Sequence, residues 1–131
     1  AVDEPYPIQA ALDVESPVLS IPTEGGPPAA VDAGWLFHLS SGNVQLTRIL
    51  PLRASAAENA DSPRPDGGMV LRLLETEGIR TNTTLHCFRT PALAREVDFQ
   101  GNVMRSMNIE DDAVSIEITP YEVCDIELRF D

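Results

Sequence analysis

The C-terminal stretch Val123-Cys124-Asp125-Ile126-Glu127-Leu128-Arg129-Phe130 alternates apolar and charged side chains. The stretch Ala113-Val114-Ser115-Ile116-Glu117-Ile118-Thr119, a few residues earlier, has the same period of two. Because successive side chains of a β-strand point to opposite faces, each stretch predicts a strand with one dry face and one wet face. The last strand is expected to turn Asp125, Glu127 and Arg129 toward solvent.

Further runs of β-forming residues extend this pattern toward the N-terminus. They cover residues 35–39, 44–50, 69–75, 81–88 and 94–99. The turn-forming residues 41–43 predict a hairpin between the first two runs, and Gly78, which tolerates positive φ, predicts a second hairpin between the next two. The last two strands predict a third hairpin, with a corner at Pro120 and Tyr121 and an acidic turn at residues 109–113 before it.

Six to eight short strands without a convincing amphipathic helix predict an all-β fold, an antiparallel β-sandwich of two packed sheets. With 131 residues the chain is long enough for its own core, so residues 1–131 are interpreted as a single domain. Residues 1–33 are rich in Pro and Gly, which excludes a long helix. Residues 53–67 have neither helical nor strand periodicity and predict a long loop.

The formal net charge is −12, and all nine basic residues are Arg. We expect no nucleic-acid partner, because phosphate binding requires a basic patch. We expect no membrane partner either, because no apolar run approaches the roughly 18 residues that span a bilayer. The first residues lack a signal-peptide pattern, which favours a cytoplasmic location for the chain as given.

Histidine and cysteine are the residue types that would indicate a metal site. His38 and His86 lie in separate strand-like runs without a second His or Cys at ligand spacing, so no metal site is predicted. Cys87 and Cys124 fall on the apolar sides of their strands. Two buried thiols are favoured over a disulfide, which requires a specific separation and geometry.

Paired carboxylates are one arrangement that supports acid–base catalysis. Glu75 with Glu77, and Asp111 with Asp112, are close in sequence but are expected on turns or solvated strand faces, where nothing would raise a pKa. The chain also lacks a Gly-x-Ser-x-Gly elbow. We therefore predict no catalytic, metal-binding or cofactor-binding residue.

Trp35 is the single tryptophan. Its neighbours Leu36 and Phe37 favour a core position, since a lone Trp in an apolar run is usually buried. The alternative is a strand Trp with one exposed face, which could stack on a sugar ring. The sequence thus leaves Trp35 as a candidate sugar contact.

Three ordered motifs resemble a known family. Residues 68–78 (GMVLRLLETEG) are similar to its strand of the form G-x-x-L-R-L-x-E-x-x-G, residues 94–99 (AREVDF) to a segment in which an Asp begins a new connection, and residues 116–123 (IEITPYEV) to its closing corner L-x-P-[FY]-E-[IV]. Their order and spacing resemble the C-terminal β-domain of the family 38 glycoside hydrolases, the α-mannosidase family. Residues 1–33 match only loosely.

The resemblance selects six motif residues, which we interpret as structural: Arg72, Glu75, Gly78, Asp98, Pro120 and Glu122. Arg72 lies among apolar residues and is expected to pair with Glu75 or Glu122 at the sheet rim. Pro120 suits a corner because it cannot donate to a ladder, and Glu122 could accept hydrogen bonds from backbone N–H groups there.

The resemblance also implies a function. Enzymes of this family are retaining α-mannosidases with a zinc ion and an Asp nucleophile in an N-terminal α/β domain. The chain would then be a non-catalytic accessory domain excised from a larger glycoside hydrolase. It would pack on and stabilise the catalytic domain of its parent and contribute the 53–67 loop to the substrate cleft, with no cofactor of its own. Two alternatives stay open: an independent carbohydrate-binding module, and a protein-interaction sandwich.

Overall fold

The fold is given by a computed structural model that describes residues 7–15, 34–52 and 67–130. These residues contain one helix and nine strands. The elements are α1 (Pro7–Glu15), β1 (Phe37–Leu39), β2 (Val44–Leu52), β3 (Gly68–Glu75), β4 (Thr81–Cys87), β5 (Leu93–Val97), β6 (Val103–Ser106), β7 (Ile109–Glu110), β8 (Ala113–Ile118) and β9 (Val123–Arg129).

The strands form two antiparallel sheets. The four-stranded sheet has the order β1-β4-β8-β7, and the five-stranded sheet has the order β2-β3-β9-β5-β6. Apolar side chains of both sheets form one core, whose fully buried members include Leu71, Leu73, Leu85, Val114, Ile118, Ile126 and Leu128. The predicted antiparallel β-sandwich is confirmed.

Strand alternation is confirmed in β8, where Val114, Ile116 and Ile118 are buried and Ser115 and Glu117 are exposed. In β9 the apolar residues are buried as predicted, but the expected wet face is not wet. Asp125 and Glu127 are only 5% and 4% exposed. The prediction was wrong because arginine side chains of the neighbouring strands cover these two carboxylates.

All three predicted hairpins are wrong. The members of the pairs β1/β2, β3/β4 and β8/β9 lie in different sheets, so each connection crosses the sandwich. Alternation shows which face of a strand is dry, but both sheets offer a dry face. The crossing segments are hydrogen-bonded to one another, since Glu75 N donates to Glu122 O (3.0 Å) and Thr76 N donates to Asn43 O (2.9 Å). Among the described residues, the consecutive strands that do pair with each other are β2–β3, β5–β6 and β7–β8.

Several strand bounds differ from the prediction. β2 continues through Pro51 to Leu52, which the fold tolerates because β2 is an edge strand and Pro51 needs no ladder partner for its nitrogen. β6 was not predicted, since all four of its residues are exposed and so show no periodicity. The predicted acidic turn at 109–113 is shorter, because Ile109 and Glu110 form β7.

The helix α1 was not predicted. It begins at Pro7, a residue whose fixed φ suits the first helical position and whose missing N–H is not needed there. At nine residues it agrees with the exclusion of a long helix. No helix in the described part of the chain has the length and apolarity to cross a membrane. The predicted loop lies outside the described residues except for Gly67.

Candidate functional site

Four of the six motif residues meet at one end of the sandwich. Glu75 ends β3, Gly78 lies in the β3–β4 connection, and Pro120 and Glu122 lie in the β8–β9 connection. The other two are elsewhere: Arg72 lies on the outer face of the five-stranded sheet, and Asp98 lies in the β5–β6 turn. The sequence analysis therefore selected these four residues, but it did not predict that they would lie close together.

The side chain of Glu75 joins three of the sheet-to-sheet connections, namely β1–β2, β3–β4 and β8–β9. It is fully buried, and its Oε1 accepts hydrogen bonds from Asn43 Nδ2 (2.9 Å) and Glu77 N (2.9 Å). Its Oε2 accepts from the backbone N–H groups of Gly78 (2.7 Å), Ile79 (3.2 Å) and Tyr121 (2.9 Å). The expectation that Glu75 faces solvent or pairs with Arg72 was wrong. We call Asn43, Glu75, Gly78 and Tyr121 the Glu75 cluster.

Burial and hydrogen bonding act on Glu75 in opposite directions. Desolvation raises the pKa of its carboxyl, while the backbone N–H groups of Tyr121 and Glu77 and the amide of Asn43 lower it. The net result is a pKa of about 2, well below the ordinary value for a glutamate. Donors aimed at an ionised carboxylate stabilise the charged form. Glu75 is thus held as an anion without any basic residue among its hydrogen-bond partners.

This shift makes stability pH-dependent in a defined window. The folded pKa is depressed, so the stabilisation by ionised Glu75 is present above the unfolded value, near 4.3, and is lost as pH falls toward 2. We expect the stability difference between wild type and Glu75→Gln, measured by urea unfolding, to shrink across that window. A difference that stays constant from pH 6 to pH 2 would contradict the assigned ionisation.

The β8–β9 corner contains an unusual backbone conformation. Glu122 N donates to Thr119 O (3.1 Å), which closes a four-residue turn with Pro120 second and Tyr121 third. Tyr121 has φ +58°, in the left-handed region that a turn of this kind usually fills with Gly. As predicted, Glu122 accepts a backbone hydrogen bond at the corner, from Thr119 N (2.6 Å).

The ring of Tyr121 lies directly over Gly78. A Cβ at position 78 would lie 2.6 Å from this ring, and Gly78 itself has φ +73°. Its predicted positive φ is confirmed, although the reversal it makes is a crossing and not a hairpin. Two independent constraints therefore favour glycine at this position.

We expect Gly78→Ala to lower the free energy of unfolding by about 2 kcal/mol, from left-handed backbone strain and the displaced Tyr121 ring. Gly101→Ala is the matched control, because Gly101 has φ +87° and no atom within 4 Å of an added Cβ. It should lose about 1 kcal/mol, the backbone part alone. Equal losses in chemical denaturation would show that the Tyr121 contact contributes nothing.

Arg72 pairs with a residue that the prediction did not name. Its Nε and Nη2 donate to Asp125 Oδ1 and Oδ2, both at 2.8 Å, in a bidentate pair. Arg95 makes the same two-bond contact with Glu127, which also accepts from Arg129 Nε at 2.7 Å. The pairing with Glu75 or Glu122 was wrong, since those two carboxylates are taken up by backbone N–H groups.

The outer face of the five-stranded sheet thus carries a ladder of ion pairs. Burial raises the pKa of Glu127, while hydrogen bonds from Arg95 and Arg129 outweigh it and hold the pKa below the usual value. Sequence reasoning missed Asp125 and Glu127 because alternation alone placed them in water. The signal available was the arginine at a matching strand position on each side, which becomes visible only once β3, β9 and β5 are known to be neighbours.

Asp98 organises the β5–β6 turn. Its Oδ1 accepts from the backbone N–H groups of Gln100 and Asn102, both at 2.8 Å, and its Oδ2 accepts from Asn102 Nδ2 (2.8 Å). The side-chain hydrogen bond from Asn102 lowers the pKa of Asp98. The predicted start of a new connection at Asp98 agrees with this turn.

Trp35, for which the sequence favoured a core position, does not lie in the core. Trp35 is 55% exposed and Leu36 is 59% exposed, so the favoured core position was wrong. Leu36 O accepts a hydrogen bond from Phe88 N (2.9 Å), and the exposed Phe88 ring lies 4.9 Å from that of Phe130. We call Trp35, Leu36 and Phe88 the apolar end. Phe130 N donates to Gly67 O (3.0 Å), so this end lies beside the root of the predicted 53–67 loop.

The two histidines are cross-strand neighbours on β1 and β4, and their ring centroids are 6.2 Å apart. His86 Nδ1 lies 3.5 Å from Asp112 Oδ1. No group of three or more His, Cys, Asp or Glu side chains in residues 7–15, 34–52 and 67–130 is arranged to hold a metal ion.

Both cysteines are buried and free. Cys87 lies in β4 and Cys124 in β9, on the core side of each sheet. Burial raises the pKa of Cys87 to about 11 and that of Cys124 to about 12. Neither thiol is set up as a nucleophile, because the thiolate is the reactive form.

An open groove of about 380 Å³ lies between β4, β8 and the segment that joins β6 to β7. It is lined by hydroxyl and amide side chains, among them Asn82, Thr84, Ser106 and Ser115. The side chains of these four residues make no hydrogen bond to another described residue, so their donors and acceptors are available to a ligand in the groove.

A family model described as "Glycosyl hydrolases family 38 C-terminal beta sandwich domain" matches residues 56–124, just over half of the chain. No curated protein matches the sequence. The matched range contains all three motifs, and it therefore confirms the resemblance on which the six motif residues were selected.

Proposed function

The chain belongs to the C-terminal β-sandwich domains of the family 38 glycosyl hydrolases, and from that premise we propose that it is a non-catalytic accessory domain. It packs on the catalytic part of an α-mannosidase-like parent enzyme, stabilises it, and contributes the 53–67 loop to the substrate cleft.

The motif residues support a structural role. Glu75 accepts five hydrogen bonds, and Glu122 accepts from Thr119. Polar groups that are already satisfied within the chain gain little from a substrate. The motifs that define the family thus maintain the sandwich.

The observation that carries the docking part of the proposal is the apolar end. Trp35, Leu36 and Phe88 are all more than 40% exposed; Trp35 precedes Leu36 in the chain, and Phe88 N donates to Leu36 O. Contiguous exposed apolar side chains are a feature of protein interfaces. Because Gly67 lies beside them, docking through this end would also bring the loop to the parent's catalytic part.

The test compares Leu36→Asp in the parent enzyme and in the isolated 131-residue chain. We expect the substitution to lower the thermal stability and the α-mannoside hydrolysis of the parent, and to leave unfolding of the isolated chain unchanged. Met104→Asp is the matched control, since Met104 is 65% exposed on β6. The isolated chain should not hydrolyse an aryl α-mannoside. Turnover by the chain, or equal effects of the two variants on the parent, would contradict the proposal.

A carbohydrate-binding module is the second candidate, and the hydroxyl- and amide-lined groove favours it. Sugar hydroxyls need both donors and acceptors, which Asn82, Thr84 and Ser115 offer. Because Trp35 is exposed, its ring is a second candidate contact, on which a sugar ring could stack.

Titration of the isolated chain with methyl α-mannoside, followed by amide chemical shifts, tests this second function. Binding that Asn82→Ala abolishes would place the sugar in the groove, and binding that Trp35→Ala abolishes would place it on the apolar end. Unchanged spectra at millimolar sugar would remove the module hypothesis.

A further inference from the structure

In the part of the chain that the structure describes, positive charge is concentrated on one surface. Of the nine arginines, Arg53 and Arg64 lie outside the described residues. Four of the other seven occupy outward positions of the five-stranded sheet, and strand pairing places them on one face: Arg48, Arg72, Arg95 and Arg129. Among the described residues, Asp125 and Glu127 are the carboxylates at strand positions on that face. The face is locally cationic in a chain of net charge −12.

Both carboxylates are already paired with arginines, and the guanidinium groups keep further donors. Arg72 and Arg95 each use the edge formed by Nε and Nη2 on a carboxylate. A guanidinium carries five N–H donors, so the Nη1 edge of each remains available. The side chains of Arg72, Arg95 and Arg129 are 30%, 29% and 35% exposed, so a partner can contact each of them.

Arg48 adds charge without compensation. It is a direct cross-strand partner of Arg72, and among the described residues it has no salt bridge. Like charges on directly opposed strand positions are destabilising in a free sheet. An external anion would relieve this repulsion.

Apolar side chains border the cationic groups on the same face. Phe99 lies over Arg72, with the guanidinium carbon 4.9 Å from the ring centroid, and is 72% exposed. Val123 and Val103 on neighbouring strands are 40% and 51% exposed. Arginine and aromatic side chains are enriched at protein interfaces, where planar guanidiniums bind carboxylates in bidentate fashion.

We propose that this face of the five-stranded sheet is an electrostatic docking surface for an acidic patch on the catalytic part of the parent enzyme. The inference rests on the proposed accessory function and names a second contact besides the apolar end. Charge complementarity is the argument for the occupant, since Asp or Glu side chains would pair with the free guanidinium edges and neutralise Arg48. A second copy of this chain fits less well, because two chains of charge −12 repel at long range.

Arginine footprinting tests the assignment on the parent enzyme. Phenylglyoxal modification of the full-length parent is compared with that of the isolated 131-residue chain, residue by residue, by mass spectrometry. We expect Arg48, Arg72, Arg95 and Arg129 to be protected in the parent. Arg89, whose guanidinium lies 5.4 Å from the Phe88 ring, reports on the apolar end, and Arg80, 66% exposed, is the reference.

The outcomes separate the two proposals. Protection of Arg89 without protection of the sheet arginines would overturn the docking surface and leave the accessory function in place. Equal modification of every arginine in both proteins would overturn both.

Charge reversal tests the acidity of the partner. In the parent, Arg48→Glu should return modification of Arg72, Arg95 and Arg129 toward the rate in the isolated chain, as should salt raised to about 0.5 M. Arg80→Glu should do neither. Protection that persists in Arg48→Glu at high salt would show that the partner is not acidic.

Discussion

Glu75→Ala should lower the free energy of unfolding by about 4 kcal/mol, the largest loss we expect from any polar substitution in the chain. The alanine would leave the backbone N–H groups of Gly78, Ile79 and Tyr121 without their acceptor at a partly buried site. The same change would detach the amide of Asn43 and so loosen three sheet-to-sheet connections at once. Urea unfolding at neutral pH would measure the loss.

Glu77→Ala is the matched control, two residues away. The Glu77 side chain accepts no hydrogen bond from the described residues, and its removal should change stability by less than about 0.5 kcal/mol. Since Glu75→Ala could abolish folding, Glu75→Gln provides a milder test, because the amide keeps one acceptor oxygen and the shape of the side chain. Similar stability of the Glu75→Gln, Glu77→Ala and wild-type proteins at pH 7 would refute the importance of this carboxylate.

The second large effect is expected at the ion pair of Arg72 and Asp125. Arg72→Leu should destabilise by about 2 kcal/mol, less than a fully buried pair would lose because the arginine is 30% exposed. The loss arises from Asp125, 5% exposed, which would keep its charge without a partner. The double variant Arg72→Leu/Asp125→Leu should be more stable than Arg72→Leu, because it removes the uncompensated charge.

A double-mutant cycle measures this coupling, and the chain offers a matched comparison. Arg80 and Glu117 also form a bridge, at 2.6 Å, but their side chains are 66% and 48% exposed. Their coupling should be below about 1 kcal/mol, since solvent screens exposed pairs. Equal coupling energies in the two cycles would mean that burial of Asp125 has no energetic consequence.

The motif residues show how far sequence reasoning reached at the site. Gly78 was predicted to have a positive φ, and it has one. Glu122 was predicted to accept a backbone hydrogen bond, and it accepts one from Thr119 N. Arg72 was predicted to need a carboxylate, which it has, but on Asp125 and not on either residue named. The need for a partner follows from local chemistry. The identity of the partner depends on which strand lies alongside, and the nearest carboxylate in sequence is not the nearest in space.

Trp35 and Asp125 both show that the sequence did not predict burial reliably. An apolar side chain was expected inside and lies outside, and a charged side chain was expected outside and is covered. The burial of a residue depends on which side chains of the neighbouring strands cover it. The hydropathy of the residue itself does not predict those neighbours.

The sequence by itself determined the positions of most strands, the dry side of each, the all-β class and the family, because a period of two and short motifs are local properties of the chain. Only the tertiary structure decided which sheet each strand joins. Consecutive strands with equally dry faces can either pair or cross. The choice falls to contacts between distant segments, above all the Glu75 carboxylate with Asn43 and Tyr121. Such contacts form only once the chain has folded, so no local pattern encodes them.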